Sequence, residues 1–380
     1  MKIGIITHWK DKDNYGAILQ TYALQKYLRN LGHDAFVIRY YAKSESKSTV
    51  QRFKKLLKNP FVIFKRRKFK ALLKLNSRWN VLRDFDTFRN EYISLSPMVY
   101  NGLEEIQNTP PEADVYITGS DQVWCGDLNN KQNWAFFLDF GTDTTKRIAY
   151  AASFGRSYFP CVDENKFKEL VDRFNAVSIR EENGIKMCLE RGIKAVRCLD
   201  STLILEANIY KELMAPRKHS GHYVFFYTVN VTNKKELYWN KLCSYLEERG
   251  IKPIVTTGTG YKLAEEMFDG AEYDYATVEE WLSNIYYADS VITASFHGVA
   301  FSLMLQKNFV YMPLQGKYST GNDRVLDLLK SVNLMNRIAK SWEDTISILD
   351  TNIDYNSINN SEFLRLRKQS VDFLDNSLFH

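Results

Sequence analysis

The sequence has few of the residues that build disulfide-bonded, fibrous or low-complexity proteins. Its 380 residues include 5 Cys, without a C-x-x-C pair, 8 Pro and 18 Gly. This composition excludes a disulfide framework, a zinc ribbon and a disordered chain, and the unpaired spacing of the thiols favours a reducing, cytoplasmic setting. No stretch of about 18 consecutive apolar residues occurs, so the sequence predicts no transmembrane helix. Residues 2–7 resemble a first strand rather than a secretory signal.

Length and composition indicate a globular protein of two domains. Hydrophobic residues make up 45% of the chain and charged residues 25%. Because single hydrophobic cores stop growing at about 250–300 residues, a chain of 380 residues is expected to divide. The sequence contains no internal repeat of about 20–50 residues, which excludes solenoids and propellers.

Predicted strands alternate with predicted helices along the chain. In the first half we predict strands at 2–7, 35–40, 114–118, 147–152, 176–179 and 195–199, and helices at 17–31, 83–92 and 182–191. In the second half we predict strands at 223–229, 251–256, 290–294 and 308–312, and helices at 233–249, 277–287, 299–305 and 323–332. This alternation predicts parallel sheets with helices on both faces.

The polar stretch 215–221 contains Pro and Gly among charged residues and is expected to link two domains. We therefore predict an α/β protein with two doubly wound, Rossmann-like domains that face a cleft. Residues 1–214 form the N-terminal domain and residues 222–350 the C-terminal domain. Residues 351–380 include a C-terminal helix that packs back on the first domain.

A basic insertion interrupts the first predicted domain. Residues 43–89 hold 15 of the 51 Lys and Arg but only 3 of the 45 Asp and Glu, so the rest of the chain is net acidic although the total is +6. Residues 46–83 contain no acidic residue, and their cations are interleaved with Phe, Leu, Ile and Val. This composition favours an anionic membrane surface, since each cation near the headgroups contributes about 1 kcal/mol. A solvated face or a partner contact is the second interpretation, and nucleic acid is not expected as a partner.

Polar residues directly after predicted strands are the first candidates for a site, because ligands of open parallel sheets bind beyond the carboxyl ends of the strands. Residues 13–16 precede the first helix, where Gly16 permits close backbone approach and free N–H groups attract an anion. Residues 119–124 (Gly-Ser-Asp-Gln-Val-Trp) combine polar groups with an aromatic face, which suits sugar recognition. A structural role, as a helix cap or a small-residue turn, is the alternative for each cluster.

Cations follow two further predicted strands. Arg180 ends one of them and offers a planar fork of five donors, although a salt bridge to Glu181 or Glu182 would also explain it. Lys317 and Arg324 lie in the loop after the other strand, within reach of a phosphate or a carboxylate. Simple solvation of both cations is the alternative.

The most informative position is His297, in the sequence Ser-Phe-His-Gly at 295–298. A predicted strand ends here, His297 lies in the turn, and a helix begins at Val299, so an imidazole and a helix N-terminus meet at one point. This arrangement suits proton transfer beside an anionic group. A purely structural histidine is the alternative.

Several other catalytic patterns are missing from the sequence. It has neither a G-x-S-x-G elbow nor a Walker loop, which excludes the common serine hydrolases and the P-loop enzymes. The remaining histidines lack metal-ligand spacing with Cys or Asp, so no metal site and no cofactor is predicted. These histidines are His8, His33, His219, His222 and His380.

Five motifs occur in the order known from one family. They are Asp-Asn-Tyr-Gly-Ala-Ile-Leu-Gln at 13–20, Gly-Ser-Asp-Gln-Val-Trp at 119–124, Ala-Ala-Ser-Phe-Gly at 151–155, Ser-Ile-Arg-Glu at 178–181 and Ser-Phe-His-Gly at 295–298. The chain resembles the polysaccharide pyruvyl transferases from residue 1 to about residue 330, apart from the basic insertion. The resemblance implies a two-domain fold like that of the glycosyltransferase-B enzymes.

The resemblance also implies an activity. The family moves the pyruvyl group of phosphoenolpyruvate onto two hydroxyls of a sugar, forming a cyclic ketal on a cell-surface polysaccharide, such as a capsule or exopolysaccharide, or on its lipid-linked precursor. By resemblance, His297 is the catalytic acid and base, and Arg180 and Lys317 bind phosphoenolpyruvate, with Ser295 and Gly298 beside them. Phosphoenolpyruvate is then a donor substrate, and no further cofactor is implied.

The sequence departs from the family pattern at Ser295, because some relatives carry Arg two positions before the motif histidine. Our hypothesis is that Arg324 compensates for the missing cation. The N-terminal domain is assigned to the acceptor and the C-terminal domain to the donor. The predicted acceptor-binding residues are Asn14, Tyr15, Gly16, Ser120, Asp121, Gln122 and Trp124.

The expected partners are phosphoenolpyruvate and a sugar or lipid-linked oligosaccharide. Residues 46–83 would hold the cytoplasmic protein at the inner face of the plasma membrane. Two alternatives stay open on the same fold. One is a glycosyltransferase that uses a sugar nucleotide, and the other is a non-catalytic, glycan-binding assembly factor.

Overall fold

The computed structural model describes residues 1–10, 13–42, 81–156, 158–159, 163–231, 233–259, 268–358 and 360–379. Of the predicted basic insertion 43–89, residues 43–80 lie outside this described part, and with them most of the predicted membrane-binding segment 46–83. Within the described ranges, no helix is both long and apolar enough to cross a membrane.

The first sheet consists of seven parallel strands. They are β1 (Lys2–Ile6), β2 (Asp34–Tyr41), β3 (Leu95–Asn101), β4 (Val115–Thr118), β5 (Lys146–Ala152), β6 (Ala176–Ile179) and β7 (Val196–Arg197). Their order is β3-β2-β1-β4-β5-β6-β7, so the direction of winding reverses between β1 and β4. The sheet is buried on both faces: Ile5 of β1 packs into one apolar cluster and the following Ile6 into another, as the alternation of side chains along a strand requires.

Helices cover both faces of this sheet. They are α1 (Tyr15–Asn30), α2 (Phe85–Tyr92), α3 (Leu103–Asn108), α4 (Glu164–Val171), α5 (Glu182–Leu189) and α6 (Ala207–Glu212), with 3₁₀ turns at Lys131–Phe137 and Ser201–Leu203. The first helix begins where it does because Oδ1 of Asn14 accepts a hydrogen bond from the backbone N–H of Ala17, at 3.2 Å. Gly32, with φ of 84°, follows its end.

The second sheet has five parallel strands. They are β8 (Tyr223–Val229), β9 (Lys252–Thr259), β10 (Glu272–Tyr273), β11 (Ser290–Thr293) and β12 (Asn308–Tyr311), in the order β10-β9-β8-β11-β12. The helices of this half are α7 (Trp239–Glu247), α8 (Val278–Tyr287), α9 (Phe296–Met304), α10 (Asp323–Ser331) and α11 (Trp342–Leu349), with 3₁₀ turns at Lys234–Leu237, Gly316–Gly321 and Met335–Arg337. The predicted α/β class, with two parallel and doubly wound sheets, is confirmed.

The last helix, α12 (Ser361–Phe379), returns to the first sheet. It buries Leu366 and Leu374, and Oγ of Ser370 accepts a hydrogen bond from the backbone N–H of Leu199, at 2.7 Å. Tyr27 of α1 also donates to a carboxylate of this helix, at 2.9 Å. The chain therefore ends on the half of the molecule in which it began.

Strand β3 and the starts of two helices differ from the prediction. Strand β3 was not predicted because Pro97 interrupts its pattern, and Pro is tolerated there because β3 is the edge of the sheet. Helix α9 begins at Phe296, three residues before the predicted start, and α1 begins at Tyr15 rather than at residue 17. As a result, His297 and Gly16 both lie in first turns of helices.

The two halves are joined by an apolar core around Tyr15. Its ring is fully buried and stacks on Trp281 of α8, with 5.3 Å between the ring centroids. Its hydroxyl donates a hydrogen bond to the backbone carbonyl of Ala276, at 2.6 Å, and accepts one from Nε of Arg83, at 3.1 Å. Because these contacts lie beside the start of α1, they place the first turn of α1 against the second half.

Candidate active site

A cavity of about 490 Å³ lies between the two halves, at the carboxyl ends of strands β1, β4, β8 and β11. The winding direction reverses between β1 and β4 in the first sheet and between β8 and β11 in the second. Doubly wound sheets bind ligands at the carboxyl ends of the strands on either side of such a reversal. The polar residues that line it are His8, Lys10, Asp13, Asn14, Arg89, Asp121, Gln122, Cys125, Asn230, Ser295, His297 and Arg324.

His297 lies in the first turn of α9, directly after β11, and is 6% exposed. The helix turns closely against the strand because position 298 is glycine: a β-carbon there would lie 2.8 Å from Cβ of Thr293. Ser295 is the N-cap of α9, but its side chain makes no capping hydrogen bond in the described structure. The first N–H groups of α9 are therefore free to bind an anion next to the imidazole.

The carboxylate beside His297 belongs to Asp200, which was not among the predicted site residues. Oδ1 of Asp200 lies 3.7 Å from Nε2 of His297, an ion-pair distance beyond a normal hydrogen bond. Oδ1 also accepts hydrogen bonds from the backbone N–H (3.0 Å) and the hydroxyl (2.7 Å) of Thr202. Oδ2 accepts from the hydroxyl of Ser120, at 2.6 Å, and from Nη1 of Arg180.

Opposing effects act on the ionisation of Asp200, which is fully buried. Burial alone would raise its pKa, but the positive charges of His297 and Arg180, together with the hydrogen bond from Ser120, hold the pKa well below its usual range. Asp200 is therefore a carboxylate, and its negative charge lies close to Nε2 of His297. Nε2 of His297 is enclosed and makes no hydrogen bond to any described residue.

Arg180 lies behind the cavity wall and is 5% exposed. It pairs with Asp200, its Nη2 lies 3.6 Å from Oδ1 of Asp121, and its guanidinium lies 4.7 Å from the ring centroid of Phe296. The predicted alternative, a salt bridge to a neighbouring glutamate, is replaced by these pairs. Among the described residues, Nε and Nη2 of Arg180 find no hydrogen-bond acceptor.

Asp121 connects Arg180 to the cavity. It follows β4 with φ of 83°, which is unusual for a residue other than glycine, and it forms an isolated parallel bridge with Ala152. Burial raises its pKa, but the charges of Arg180 and His297 outweigh this effect, so the pKa of Asp121 is lowered. The cavity wall thus carries a carboxylate close to the histidine.

Arg324 and Gln122 meet across the cavity from opposite halves of the molecule. In the amide orientation that satisfies both side chains, the oxygen of Gln122 accepts hydrogen bonds from Nη2 and Nη1 of Arg324, at 2.6 and 2.9 Å. Nε of Arg324 is enclosed and has no hydrogen-bond partner in the described structure. Burial, followed by the nearby charge of Arg180, lowers the pKa of Arg324. Two guanidinium groups therefore lie near the site with unused N–H donors.

The first turn of α1 closes the site beneath His297. A β-carbon on Gly16 would lie 2.7 Å from Cε1 of His297 and closer still to Nδ1, so only glycine fits here. Asn14 caps the same helix and lines the cavity. Each half thus presents a helix N-terminus to the site.

The structure brings six of the predicted residues to the cavity wall, and one more, Gly16, packs against the imidazole. The six are Asn14, Asp121, Gln122, Ser295, His297 and Arg324. Ser120 bonds to Asp200 beneath the wall, and Gly298 serves the packing of α9 on β11. The side chain of Lys317 lies outside the described part of the structure, so its predicted role stays a prediction.

Two predicted acceptor ligands lie in the core instead of the cavity. Tyr15 is buried between the halves, as described above. Trp124 is 1% exposed, stacks on Phe137 with 4.8 Å between centroids, and donates a hydrogen bond from Nε1 to the carbonyl of Phe136, at 3.1 Å. These positions correct the prediction that the two aromatic rings contact a sugar, because each is covered by apolar neighbours.

Several residues at or behind the cavity wall were missed from the sequence. Asp200, behind the wall, directly follows a predicted strand, and His8 follows the first one, so the rule that selected His297 would also have found them. The sequence does not distinguish Lys10 and Arg89 from ordinary surface cations. Within the described ranges, no three His, Cys, Asp or Glu side chains are grouped so as to hold a metal ion.

Comparisons with known proteins agree with this geometry. A model of the polysaccharide pyruvyl transferase family matches residues 14–315. No curated protein sequence matches the chain. The fold is similar to that of UDP-GlcNAc 2-epimerase from Methanocaldococcus jannaschii, with a TM-score of 0.53 and 13% identity over 99% of this chain and 100% of that one. The same enzyme from Neisseria meningitidis, solved with UDP-GlcNAc bound, gives a TM-score of 0.51 and 9% identity over 99% and 100%.

The structural likenesses show the fold alone, a glycosyltransferase-B-like pair of Rossmann-type domains. The family match is stronger evidence, because it spans most of the chain and includes the five motifs from which the site is built, apart from the first residue of the first motif. The chain therefore belongs to the polysaccharide pyruvyl transferase family and is a polysaccharide-modifying transferase.

Proposed function

We propose that the protein transfers the pyruvyl group of phosphoenolpyruvate to two hydroxyls of a sugar and forms a cyclic ketal. One observation carries the proposal: His297, beside the carboxylate of Asp200, lies at a helix N-terminus with free N–H groups, on a cavity that also holds Arg324. This combination suits a reaction in which an enol phosphate is protonated on carbon while its phosphate group is bound.

The proposed reaction needs one proton donor and one anion site. His297 donates a proton to C3 of the enol, so that C2 becomes electrophilic and one sugar hydroxyl adds to it. The bond between C2 and the phosphate oxygen then breaks, and the second hydroxyl closes the ring. The two hydroxyl protons balance the reaction, since one replaces the proton given to C3 and the other leaves with the phosphate.

The anion site would be formed by Arg324, Ser295 and the first N–H groups of α9. Arginine binds phosphate and carboxylate through two parallel hydrogen bonds, which fixes the orientation of a small donor molecule. Arg180 adds positive charge from behind the cavity wall. Lys317 is included in the proposed anion site on the evidence of the sequence alone. The acceptor would then contact Asn14, Asp121 and Gln122 on the opposite side of the cavity.

A ligand titration tests the donor. The purified protein is titrated with phosphoenolpyruvate and, separately, with a UDP-sugar, and the melting temperature is followed. At about 100 times its dissociation constant, a ligand stabilises the native state by about 2.7 kcal/mol, which is easily measured. We expect stabilisation by phosphoenolpyruvate that is reduced in Arg324→Ala.

A transfer assay tests the reaction. Phosphate release and the mass of the sugar product are measured with phosphoenolpyruvate and a panel of aryl hexosides and N-acetylhexosaminides. We expect His297→Asn to lose transfer but to keep phosphoenolpyruvate binding. His222→Asn is the matched control, because His222 has a side chain that is 79% exposed and lies outside the cavity.

The alternatives give different results. Stabilisation by the UDP-sugar alone would support a sugar-nucleotide transferase and contradict the proposed donor. Glycan binding that is equal in wild type and His297→Asn, without phosphate release in either, would support an assembly factor.

A further inference from the structure

Asp200 contacts the candidate site from behind the cavity wall. It does not line the cavity, yet it pairs with Arg180 and lies 3.7 Å from His297. The reaction proposed above assigns it no step. The pair with Arg180 accounts for the burial of this charge, but it does not account for the position of the carboxylate next to an imidazole from the other half.

The position of Asp200 is fixed independently of His297. Its oxygens accept two hydrogen bonds from Thr202 and one each from Ser120 and Arg180, all of which belong to the first half of the molecule. His297 comes from the second half. The carboxylate is therefore a fixed charge against which the imidazole is placed.

The two ring nitrogens of His297 have different surroundings. Nε2 is enclosed, makes no hydrogen bond to a described residue and lies nearest to Oδ1 of Asp200. The Nδ1 edge lies over Gly16 in the first turn of α1, and the ring lines the cavity. Of the two nitrogens, Nδ1 is thus the one left for a substrate.

We propose that Asp200 is the positioning residue of His297: its carboxylate keeps a proton on Nε2 and so makes Nδ1 the atom that exchanges a proton with the substrate. The proposal rests on the proposed role of His297 as the acid. Asp121 also acts on His297 with negative charge, and Arg180 and Arg324 surround the two carboxylates with positive charge. Asp200 differs from Asp121 in lying behind the wall, so substrate does not displace it.

The first test uses the wild-type protein and needs no substrate. Histidine is labelled with ¹⁵N and ¹³C, and the ring resonances of His297 are assigned by their loss in His297→Gln. In the neutral form of His297 we expect the proton on Nε2 and the lone pair on Nδ1. A neutral form with its proton on Nδ1 would overturn the proposal, whether or not an Asp200 variant folds.

The second test removes the charge while keeping the shape. Asp200→Asn retains an oxygen that can accept the bonds from Thr202, but it no longer attracts the imidazolium. We expect neutral His297 to lose its preference for the proton on Nε2 in this variant, because the negative charge near that nitrogen is gone. Thr202→Val is the matched control, because it removes a hydrogen bond to the same carboxylate and leaves the charge.

The control separates a positioning role from a purely structural one. An unchanged proton position on His297 in Asp200→Asn, or an equal change in Thr202→Val, would contradict the proposal. In the transfer assay, Asp200→Asn should lower kcat by about 100-fold. If wild type transfers no pyruvyl group, the proposed function fails, while the resonance measurements still decide the role of Asp200.

Discussion

Gly16 lies directly beneath the imidazole of His297, and a β-carbon at this position would overlap the ring. The two residues come from different halves of the molecule, one from the first turn of α1 and the other from the first turn of α9. The candidate site is thus formed by two helix N-termini, one from each half of the molecule.

Replacing Gly16 with Ala should displace His297 and lower kcat by about 100-fold, since an error of about 1 Å in the position of a catalytic group has this effect. The fold should survive, because Ala is the better helix former by about 0.5–1 kcal/mol. Transfer rates and melting temperatures check both statements. In a His297→Asn background, Gly16→Ala should add no further loss, and an additive loss would show that it acts elsewhere.

Replacing Arg324 with Ala should weaken phosphoenolpyruvate binding by about 10- to 100-fold, which corresponds to hydrogen bonds to a charged group worth about 1.5–3 kcal/mol. The Michaelis constant for phosphoenolpyruvate measures the effect. Gln122→Ala removes the observed partner of Arg324 but keeps the guanidinium, so it is the control and should weaken donor binding much less. An unchanged Michaelis constant in Arg324→Ala would remove this residue from the donor site.

Removing the hydroxyl of Tyr15 should affect stability rather than catalysis. Tyr15→Phe leaves the buried carbonyl of Ala276 without its donor and Nε of Arg83 without this acceptor, which should cost about 1–3 kcal/mol of unfolding free energy. Urea denaturation measures this loss, and the Michaelis constant for the sugar should stay the same. If stability were unchanged while sugar binding was lost, Tyr15 would be an acceptor ligand after all.

Two buried aspartates of the second half should give opposite pH dependences. Burial raises the pKa of Asp327, so the folded protein holds this proton more tightly than the unfolded chain. Asp327 therefore stabilises the fold at low pH. This stabilisation is lost as the pH rises through the raised pKa of Asp327. Asp327→Asn should therefore raise the free energy of unfolding at pH 8, and the gain should shrink below about pH 4. The backbone N–H of Glu182, which donates to Asp327 at 2.9 Å, can still donate to Asn.

Asp274 is expected to show the opposite dependence of stability on pH. Burial opposes its ionisation, but hydrogen bonds from Lys218, His219 and Asn284 lower its pKa, so its carboxylate stabilises the fold above the usual pKa of about 3.9. Asp274→Asn should destabilise the protein at pH 7, with a deficit that disappears as the pH falls through the lowered value. Denaturation curves at several pH values check both variants, and the same sign of effect in the two would contradict the assignment.

The basic segment allows a prediction from the sequence alone. Replacing Lys65, Arg66, Arg67 and Lys68 with Gln should weaken binding to anionic phosphatidylserine vesicles by roughly 10³-fold, at about 1 kcal/mol per cation. Vesicle flotation measures this, with neutral phosphatidylcholine vesicles as the control. Unchanged flotation would contradict the membrane interpretation of residues 46–83.

Much of the fold could be predicted because strands buried on both faces are short, apolar and followed by turn residues. Strands β8 and β6 were predicted with the observed limits, and His297 was selected because it follows such a strand. The edge strand β3 was missed, since Pro97 hides its pattern. The starts of α1 and α9 were placed too late, because helix starts depend on caps such as Asn14 and on contacts with the other half.

The sequence by itself determined the class of fold and the family, and it selected His297 as a candidate, because these depend on local patterns and on motifs in a fixed order. Only the tertiary structure decided which residues share the cavity, since it turns Tyr15 and Trp124 into the core and brings Arg324 to Gln122. It also placed Asp200 beside His297, 97 residues apart in the chain, at 3.7 Å. The reason is physical: burial and charge pairing depend on what lies opposite a residue, and for Tyr15, Arg324 and Asp200 that residue includes one from the other half of the molecule.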